Sequence, residues 1–433
     1  MGCSRPPVRW LVLAAALWLL GAASAGAAED GGPRAWDLGG SLRILGTLAD
    51  THRLGSLAGG RDSAVQGQGA LRLTAAGRTG HRWAYEAHLV GSYLYSSPAG
   101  QGTPGWGTAG GVTRYRALDA TWHWRDQPGQ EGLLWWDRLN VKLSLGQVDI
   151  TLGRQAITFG KAYFCNPLDV FLPFVDPRQF DREYKAGVDG LRVDVYLGDF
   201  SGLTLVAVAG RELDWQNRPV DGEAALAADW YGSALLVRGY TTLAGWDLAV
   251  QGGKVYGGWQ LGGGLTGELG PLSVRAEAAY LWADGRRPLP PPLSGDIIPD
   301  HLTLVLGLGH RWANSLTLEA EYLFNGAGDP DHLEAARARV NAGAALQMGR
   351  HLLGATLSYQ ITPLALGRIV VLYSLSDHSC LWQPVVTISV ADNVEMLAGA
   401  SLGLGAAPDS AARIHSEFGS YPTYFFVEFK FYF

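Results

Sequence analysis

The last nine residues of the chain alternate between two kinds of side chain. The odd positions are all apolar, and the positions between them include one acid and one base: Phe425, Val427, Phe429, Phe431 and Phe433 alternate with Phe426, Glu428, Lys430 and Tyr432. Because successive side chains of a strand point to opposite faces, this segment has one fully apolar face. Such a face on a soluble edge strand would aggregate, whereas a strand between lipid and a wet lumen requires it. The segment therefore predicts a membrane-spanning β-strand.

The same alternation recurs along the chain over long segments, for example residues 82–95, 272–283 and 315–325. Strands of soluble sandwiches also alternate, but they are usually about 5–6 residues long. A tilted strand that crosses a membrane needs about 9–11 residues. We therefore predict an all-β fold, a transmembrane antiparallel up-and-down β-barrel.

Short and long connections mostly take turns between the predicted strands, as in barrels with short periplasmic turns and long outer loops. The long links are polar or rich in glycine and proline: residues 49–63, 96–111, 160–187, 212–229, 284–300, 326–348 and 405–420. Residues 112–124 and 138–145 both resemble strands, and counting them separately gives about 19, which leaves the termini on opposite sides. We therefore merge them into one descending strand, interrupted at 126–136, and predict about 18 strands, with 16 as the alternative.

The first 27 residues have the layout of a secretory signal peptide. Arg5 and Arg9 precede an apolar run at residues 10–20, and small residues with A-x-A spacing follow. The alternative is a membrane anchor, but the run is shorter than the roughly 20 apolar residues that a spanning helix needs. We predict a signal peptide at residues 1–27 and one barrel at 28–433.

The composition excludes several other classes of protein. Hydrophobic residues make up 47% of the chain and charged residues only 17%, with a net charge of −6, against about 25% charged in soluble proteins. This balance gives no reason to expect a nucleic-acid partner. No His-Glu-x-x-His or Cys-x-x-Cys pattern is present, so we predict no metal and no cofactor. Whether Cys165 and Cys380 pair is open.

The terminal Phe433 resembles the C-terminal signature of bacterial outer-membrane barrels. The resemblance implies that the barrel-insertion machinery reads the last strand and that the protein resides in the bacterial outer membrane. Its expected surroundings are therefore outer-membrane lipid outside and solute inside.

Within residues 148–159 the apolar side chains change from even-numbered to odd-numbered positions. Val148, Ile150 and Leu152 share one face, but after Gly153 the apolar positions are odd-numbered. One extra residue would produce this change, so we predict a β-bulge at Gly153 that turns Arg154 to the lumen. An unpaired arginine facing lipid would cost about 2–4 kcal/mol at the bilayer midplane.

The residues around this position resemble the alginate-export family of outer-membrane porins. The matching elements are a Gly-Arg-Gln strand end, a short loop, a Phe-Asp turn and a further strand: Leu152-Gly153-Arg154-Gln155, Phe159-Gly160, Phe180-Asp181 and Val188–Val195. The family's continuous F-D-G-x-R run is divided here, since Asp189-Gly190-Leu191-Arg192 lies apart from Phe180-Asp181. The resemblance implies a porin-type barrel that passes an anionic polymer.

The loop at 160–187 mixes aromatic and charged residues. It either folds into the lumen as a constriction or packs at the rim around its own small core. We predict that charges of this loop and the neighbouring strands line the pore: Arg138, Lys142, Asp149, Arg154, Asp176, Arg178, Asp181, Arg182, Arg192 and Asp194. Because both signs occur together, we expect weak ion selectivity.

No catalytic constellation stands out in the sequence. His88 and Ser92 share a face, but four residues of strand separate them by roughly 13 Å, and G-x-S-x-G is absent. We therefore predict no enzyme, but a channel for passive passage of small hydrophilic or anionic solutes. The alternative is a sleeve that encloses a partner protein in its lumen, such as an electron-transfer subunit.

Overall fold

The structure is a computed structural model that describes residues 36–97, 114–171, 185–212 and 228–433. These residues form 19 strands: β1 (Trp36–Asp50), β2 (Ser63–Thr79), β3 (Trp83–Ser97), β4 (Thr121–Gln127), β5 (Gln130–Leu145), β6 (Val148–Gln155), β7 (Val188–Tyr196), β8 (Gly202–Val208), β9 (Ala234–Leu243), β10 (Trp246–Val255), β11 (Gly258–Leu269), β12 (Leu272–Ala283), β13 (His301–Arg311), β14 (Thr317–Asn325), β15 (His351–Thr362), β16 (Ala365–Ser374), β17 (Cys380–Ala391), β18 (Val394–Leu404) and β19 (Thr423–Tyr432). One α-helix, α1 (Leu333–Asn341), and two 3₁₀ segments, His52–Ala58 and Phe418–Ser420, lie between strands. No helix within these ranges is long and apolar enough to cross a membrane.

The wall is a closed antiparallel barrel of 18 strands, which confirms the predicted fold class and strand number rather than the alternative of 16. It closes because β1 pairs with β2 on one edge and with β19 on the other, from Ser41↔Tyr432 to Asp50↔Thr423. Closure joins the first and last strands, so most backbone N–H and C=O groups along the wall find partners within the protein.

The remaining strand, β4, shows that one part of the strand prediction is wrong. Residues 112–124 and 138–145 do not form one descending strand, because β4 runs antiparallel to β5 and pairs with its first half. The second half of β5 pairs with β6 along the same edge. β4 and β6 therefore occupy one strand position of the wall, one after the other. The assumed interruption at 126–136 contains the tight turn itself, where Gly129 adopts a φ of 76° that favours glycine.

Side-chain alternation divides the wall into an apolar outer face and a mostly polar inner face. In β19, Phe425 is 54% exposed, whereas Phe426 is 4%, Glu428 is 6% and Lys430 is 4% exposed. Large apolar side chains are exposed in the same way on strands around the barrel. A soluble protein would bury these groups, so the outer face is suited to a hydrocarbon environment.

The connections also follow the sequence-based pattern. Both barrel termini and the short turns, such as 146–147 and 244–245, lie at one end. The opposite end carries the long loops, including 156–187, 284–300 and 326–350. Among the connections that the structure describes at the loop end, three have fewer than six residues: 128–129, 256–257 and 375–379.

The predicted bulge at Gly153 is wrong. Pairing through Gly153 is continuous with both β5 and β7, although the residue has a φ of 116°. The register shift lies in β5, where Leu89 pairs with Trp136 and His88 with Arg138, so Asp137 is the extra residue. The odd positions Ile157 and Phe159 do not turn outward; they join a buried cluster with Phe171, Val188 and Val206.

Candidate functional site: the barrel lumen

The chain enters the barrel directly after β6. We call residues 157–171, the described first part of the β6–β7 loop, the lumen segment. Its two ends are anchored by apolar packing, since Ile157 and Phe171 are both 0% exposed and contact inward side chains such as Val206 and Leu236. The segment therefore starts and ends against the wall formed by β7–β10.

Two glutamates on the opposite wall hold the middle of the lumen segment. Glu277 on β12 accepts hydrogen bonds from the backbone N–H groups of Lys161 and Ala162, the latter at 3.1 Å. Glu321 on β14 accepts those of Tyr163 and Phe164, at 2.5 and 2.8 Å. We call this arrangement the carboxylate clamp. Four consecutive N–H groups thus bind two carboxyl groups, and hydrogen bonds of this kind are strongest when the acceptor carries a charge.

Arg275 on β12 stabilises the carboxylate clamp through a hydrogen bond to Glu321. Its Nε donates to Oε1 of Glu321 at 2.8 Å, and a second nitrogen contacts Glu319. The side chain of Glu321 is only 3% exposed and that of Arg275 is 12% exposed. A buried carboxyl group requires such partners, so Arg275 compensates part of the cost of burying Glu321.

Side-chain amides and apolar contacts hold the rest of the lumen segment along the inner wall. Gln251 donates to the carbonyl of Leu168 at 2.8 Å, and Gln260 donates to that of Pro167 at 3.3 Å. In the middle of the segment, Phe164 packs against a buried apolar cluster below the loops. This cluster consists of Val305, Leu323, Leu352, Leu372, Leu381 and Phe418. The segment therefore narrows the barrel along the side of β8–β17.

A basic cluster faces the lumen at β2–β5, around the bulged Asp137. This carboxylate accepts hydrogen bonds from Arg72 at 2.7 Å and from Arg116 at 2.8 Å. Burial lowers the pKa of Arg116, which lies before β4, to about 10. Arg138 follows the bulge and donates to Glu86 at 3.1 Å and to the carbonyl of Lys185 at 2.8 Å.

Five of the residues predicted to line the pore lie on the inner side of β5–β7, in ion pairs within or between strands. Lys142 contacts Asp149 at 2.6 Å, and Arg192 contacts Asp194 at 2.8 Å; Arg138 is the fifth. Their inward position follows from the alternation, whereas a role in permeation stays a prediction. Asp176, Arg178, Asp181 and Arg182 lie outside the described residues, as does Phe180.

Arg154 occupies a different place from the other predicted lining residues. It is 4% exposed and lies where β6 ends and β4 begins. Its guanidinium contacts Asp189 at 2.6 Å and donates to the carbonyls of Trp136 at 2.9 Å and Leu118 at 2.5 Å. These carbonyls lie at the interruption between β4 and β6, so Arg154 closes a gap in the hydrogen bonding of the wall.

Sequence patterns alone do not single out the residues of the carboxylate clamp or Asp137. The alternation already places Glu277, Glu321 and Arg275 on the polar faces of their strands. The alternation contains no signal for the partners of the two glutamates, because these partners are backbone N–H groups more than a hundred residues away in the chain. Asp137 could not be found by alternation, because this bulge residue interrupts the alternation.

A cavity of about 450 Å³ lies between the lumen segment, the inner wall and residues 343–347 of the β14–β15 loop. Basic and aromatic groups are prominent in its lining, among them Arg114, Tyr256, His301 and Arg368. The guanidinium of Arg114 lies 4.4 Å from the centre of the Tyr256 ring, a favourable cation–π geometry. Burial lowers the pKa of Arg114.

The potential metal ligands and the two cysteines are dispersed over the described ranges. No group of three or more potential metal ligands comes together there. Cys165 and Cys380 are both free thiols; Cys165 packs inside the barrel, while Cys380 has the parity of the outward-facing Trp382.

Comparison with solved structures gives the class of the fold. The chain is similar to Acinetobacter baumannii OccAB3, with a TM-score of 0.54 and 10% identity over 92% of this chain and 99% of that one. It is similar to Pseudomonas aeruginosa OccD3 (OpdP), with a TM-score of 0.51 and 11% identity over 92% and 91%. A BenF-like porin from Pseudomonas fluorescens Pf-5 gives 0.51 and 11% over 92% and 98%.

These likenesses define an 18-stranded barrel of the porin type. No family model matches the chain, and no curated protein matches it. The resemblance to the alginate-export family therefore stays an interpretation of the motif around Gly153-Arg154-Gln155.

Proposed function

We propose that this chain is a passive outer-membrane channel for small hydrophilic or anionic solutes. The observation that carries the proposal is the two-sided barrel wall, apolar outside and charged inside, with a lumen segment clamped across its interior. Such a wall partitions into lipid and keeps a polar path through it. The BenF-like porin among the similar structures has the same barrel fold.

In this function the lumen segment acts as the constriction, and the gradient of the solute drives transport. The inner wall carries both signs of charge, since Arg72 pairs with Asp137, Arg138 with Glu86 and Arg192 with Asp194. Rings of charge set the ion preference of a pore. Because neighbouring charges are paired, we expect weak selectivity between small cations and anions.

The alternative function, a sleeve around a partner protein, is not favoured. Residues 157–171 of the chain itself occupy part of the interior, and residues 343–347 line the cavity beside them. We also propose no catalytic role, since the clamped glutamates are bound to backbone N–H groups. Membership of the alginate-export family is a finer proposal that rests on the motif alone.

Planar-bilayer recordings of the detergent-purified protein test the channel. We expect stepwise current increases in potassium chloride and a reversal potential close to zero under a salt gradient. Heat-denatured protein from the same preparation is the control. A folded barrel, shown by its heat-dependent shift on gels, that inserts but passes no current would contradict the channel function while leaving the fold intact.

A further inference from the structure

A buried carboxylate joins three loops at the loop end of the barrel. Glu417 lies in the β18–β19 loop and is 0% exposed. Its carboxylate accepts hydrogen bonds from the backbone N–H groups of Met348 at 3.0 Å and Gly349 at 2.8 Å, in the β14–β15 loop. Its own N–H donates to Asp377, in the β16–β17 loop, at 2.6 Å. One residue thus connects three of the outer loops.

The contacts of Glu417 lead directly to the lumen. Met348 and Gly349 follow residues 343–347, which line the cavity. The neighbouring Phe418 is 0% exposed and belongs to the apolar cluster against which Leu346 and Phe164 of the lumen segment pack. Release of the Met348–Gly349 backbone from Glu417 would therefore free the residues that line the cavity inside the barrel.

The charged surroundings of Glu417 contain no compensating cation in contact with its carboxylate among the described residues. From the β16–β17 loop, the acidic Asp377 faces it. In the β14–β15 loop, Arg350 donates to the carbonyl of Gly328 and His351 bonds Tyr322. The remaining nearby groups are also bonded elsewhere: His415 to Asp409, and Arg53 of the β1–β2 loop to the carbonyls of Gly403 and Gly405.

We propose that Glu417 is a pH-sensitive latch on the outer mouth, closed when its carboxyl group is protonated and released when it is ionised. The inference rests on the proposed channel function and assigns a regulation to it. Protonation removes the buried charge while one carboxyl oxygen still accepts a backbone N–H. Ionisation places a charge in a fully buried site next to Asp377, where only two backbone N–H groups stabilise it, and that charge is relieved when the loop moves into water.

The direction of the pH effect follows from linkage. Burial raises the pKa of Glu417 from 4.5 to about 7 in the closed loops, and the charge of Asp377 acts in the same direction. A released Glu417 in water returns to its ordinary value. The closed form is therefore favoured at low pH, and opening becomes more favourable as the pH rises from about 4.5 to about 7. Between pH 5 and pH 8 the opening equilibrium changes on the order of 50-fold.

Single-channel recordings at symmetrical pH between 5 and 8 test the latch. We expect the open fraction of the wild-type channel to rise with pH. Glu417→Gln, a neutral mimic of the protonated acid, should keep the low-pH behaviour at every pH. Asp331→Asn removes an exposed acid of the β14–β15 loop and should behave as the wild type does.

Hydrogen exchange of the backbone at residues 343–349 gives a second readout, which does not depend on current. After correction for intrinsic exchange rates, protection should fall as the pH rises in the wild type and stay constant in Glu417→Gln. Equal pH dependence in both proteins, or pH-independent gating and protection in the wild type, would overturn the latch. A complete absence of current would contradict the channel function instead, and hydrogen exchange would still decide on the latch.

Discussion

The carboxylate clamp allows an estimate of how strongly the lumen segment is held in its closed position. Glu321 accepts the N–H groups of Tyr163 and Phe164 and an N–H of Arg275 at 2.8 Å or less. Its side chain is 3% exposed, so solvent screening reduces these interactions little. Hydrogen bonds to charged groups contribute about 1.5–3 kcal/mol each.

Glu321→Gln keeps one acceptor oxygen, loses the charge and directs an amide N–H₂ at a backbone N–H. We expect the closed position of the lumen segment to lose about 2–4 kcal/mol. At 1.4 kcal/mol for each tenfold change, the released population rises roughly 30-fold to several-hundred-fold. Glu277 holds the same part of the lumen segment. Glu277→Gln should therefore destabilise the closed position less when it is added to Glu321→Gln than when it is made alone.

Single-channel current noise and hydrogen exchange at residues 160–166 measure this release. Glu321→Gln should show more frequent excursions to higher conductance and faster exchange of the amides at 163 and 164. Glu268→Gln is the matched control, since Glu268 lies exposed at the short-turn end of β11. Unchanged noise and unchanged exchange in a folded Glu321→Gln barrel would refute the view that the clamp holds the constriction.

Two further predictions concern assembly of the wall. Gly153→Ala should lower the free energy of unfolding in urea by about 2 kcal/mol or more, because a Cβ there would lie 2.3 Å from the Leu139 carbonyl oxygen and the φ is 116°. Gly67→Ala, where a Cβ meets nothing within 4 Å, should change the stability by under about 1 kcal/mol; equal losses in the two variants would disprove the strain at Gly153. Phe433→Ala should reduce insertion in cells several-fold but leave refolding in detergent nearly unchanged, because the backbone of Phe433 still pairs with Gly40 at 2.7 and 3.1 Å. An equal loss in both assays would indicate a structural role for the ring instead of recognition by the insertion machinery.

The fold class and the polarity of the two faces could be predicted from the sequence because they depend on local repetition. In β19 the alternation of Phe425 to Phe433 predicts the outward face, and the structure confirms it from Phe425 to Lys430. The alternation of long and short links predicted the strand number, since an even count keeps both termini at one end. These signals need no knowledge of which distant residues come together.

The arrangement of the lumen was decided by the tertiary structure. The reversal of β4, the bulge at Asp137 and the capture of residues 161–164 by Glu277 and Glu321 depend on contacts between residues far apart in the chain. The apolar residues Ile157 and Phe159 have the same local pattern whether they face lipid or pack inside the barrel. Only closure of the barrel creates the interior against which they pack, so a period-2 sequence signal defines two faces but not what occupies the space between them.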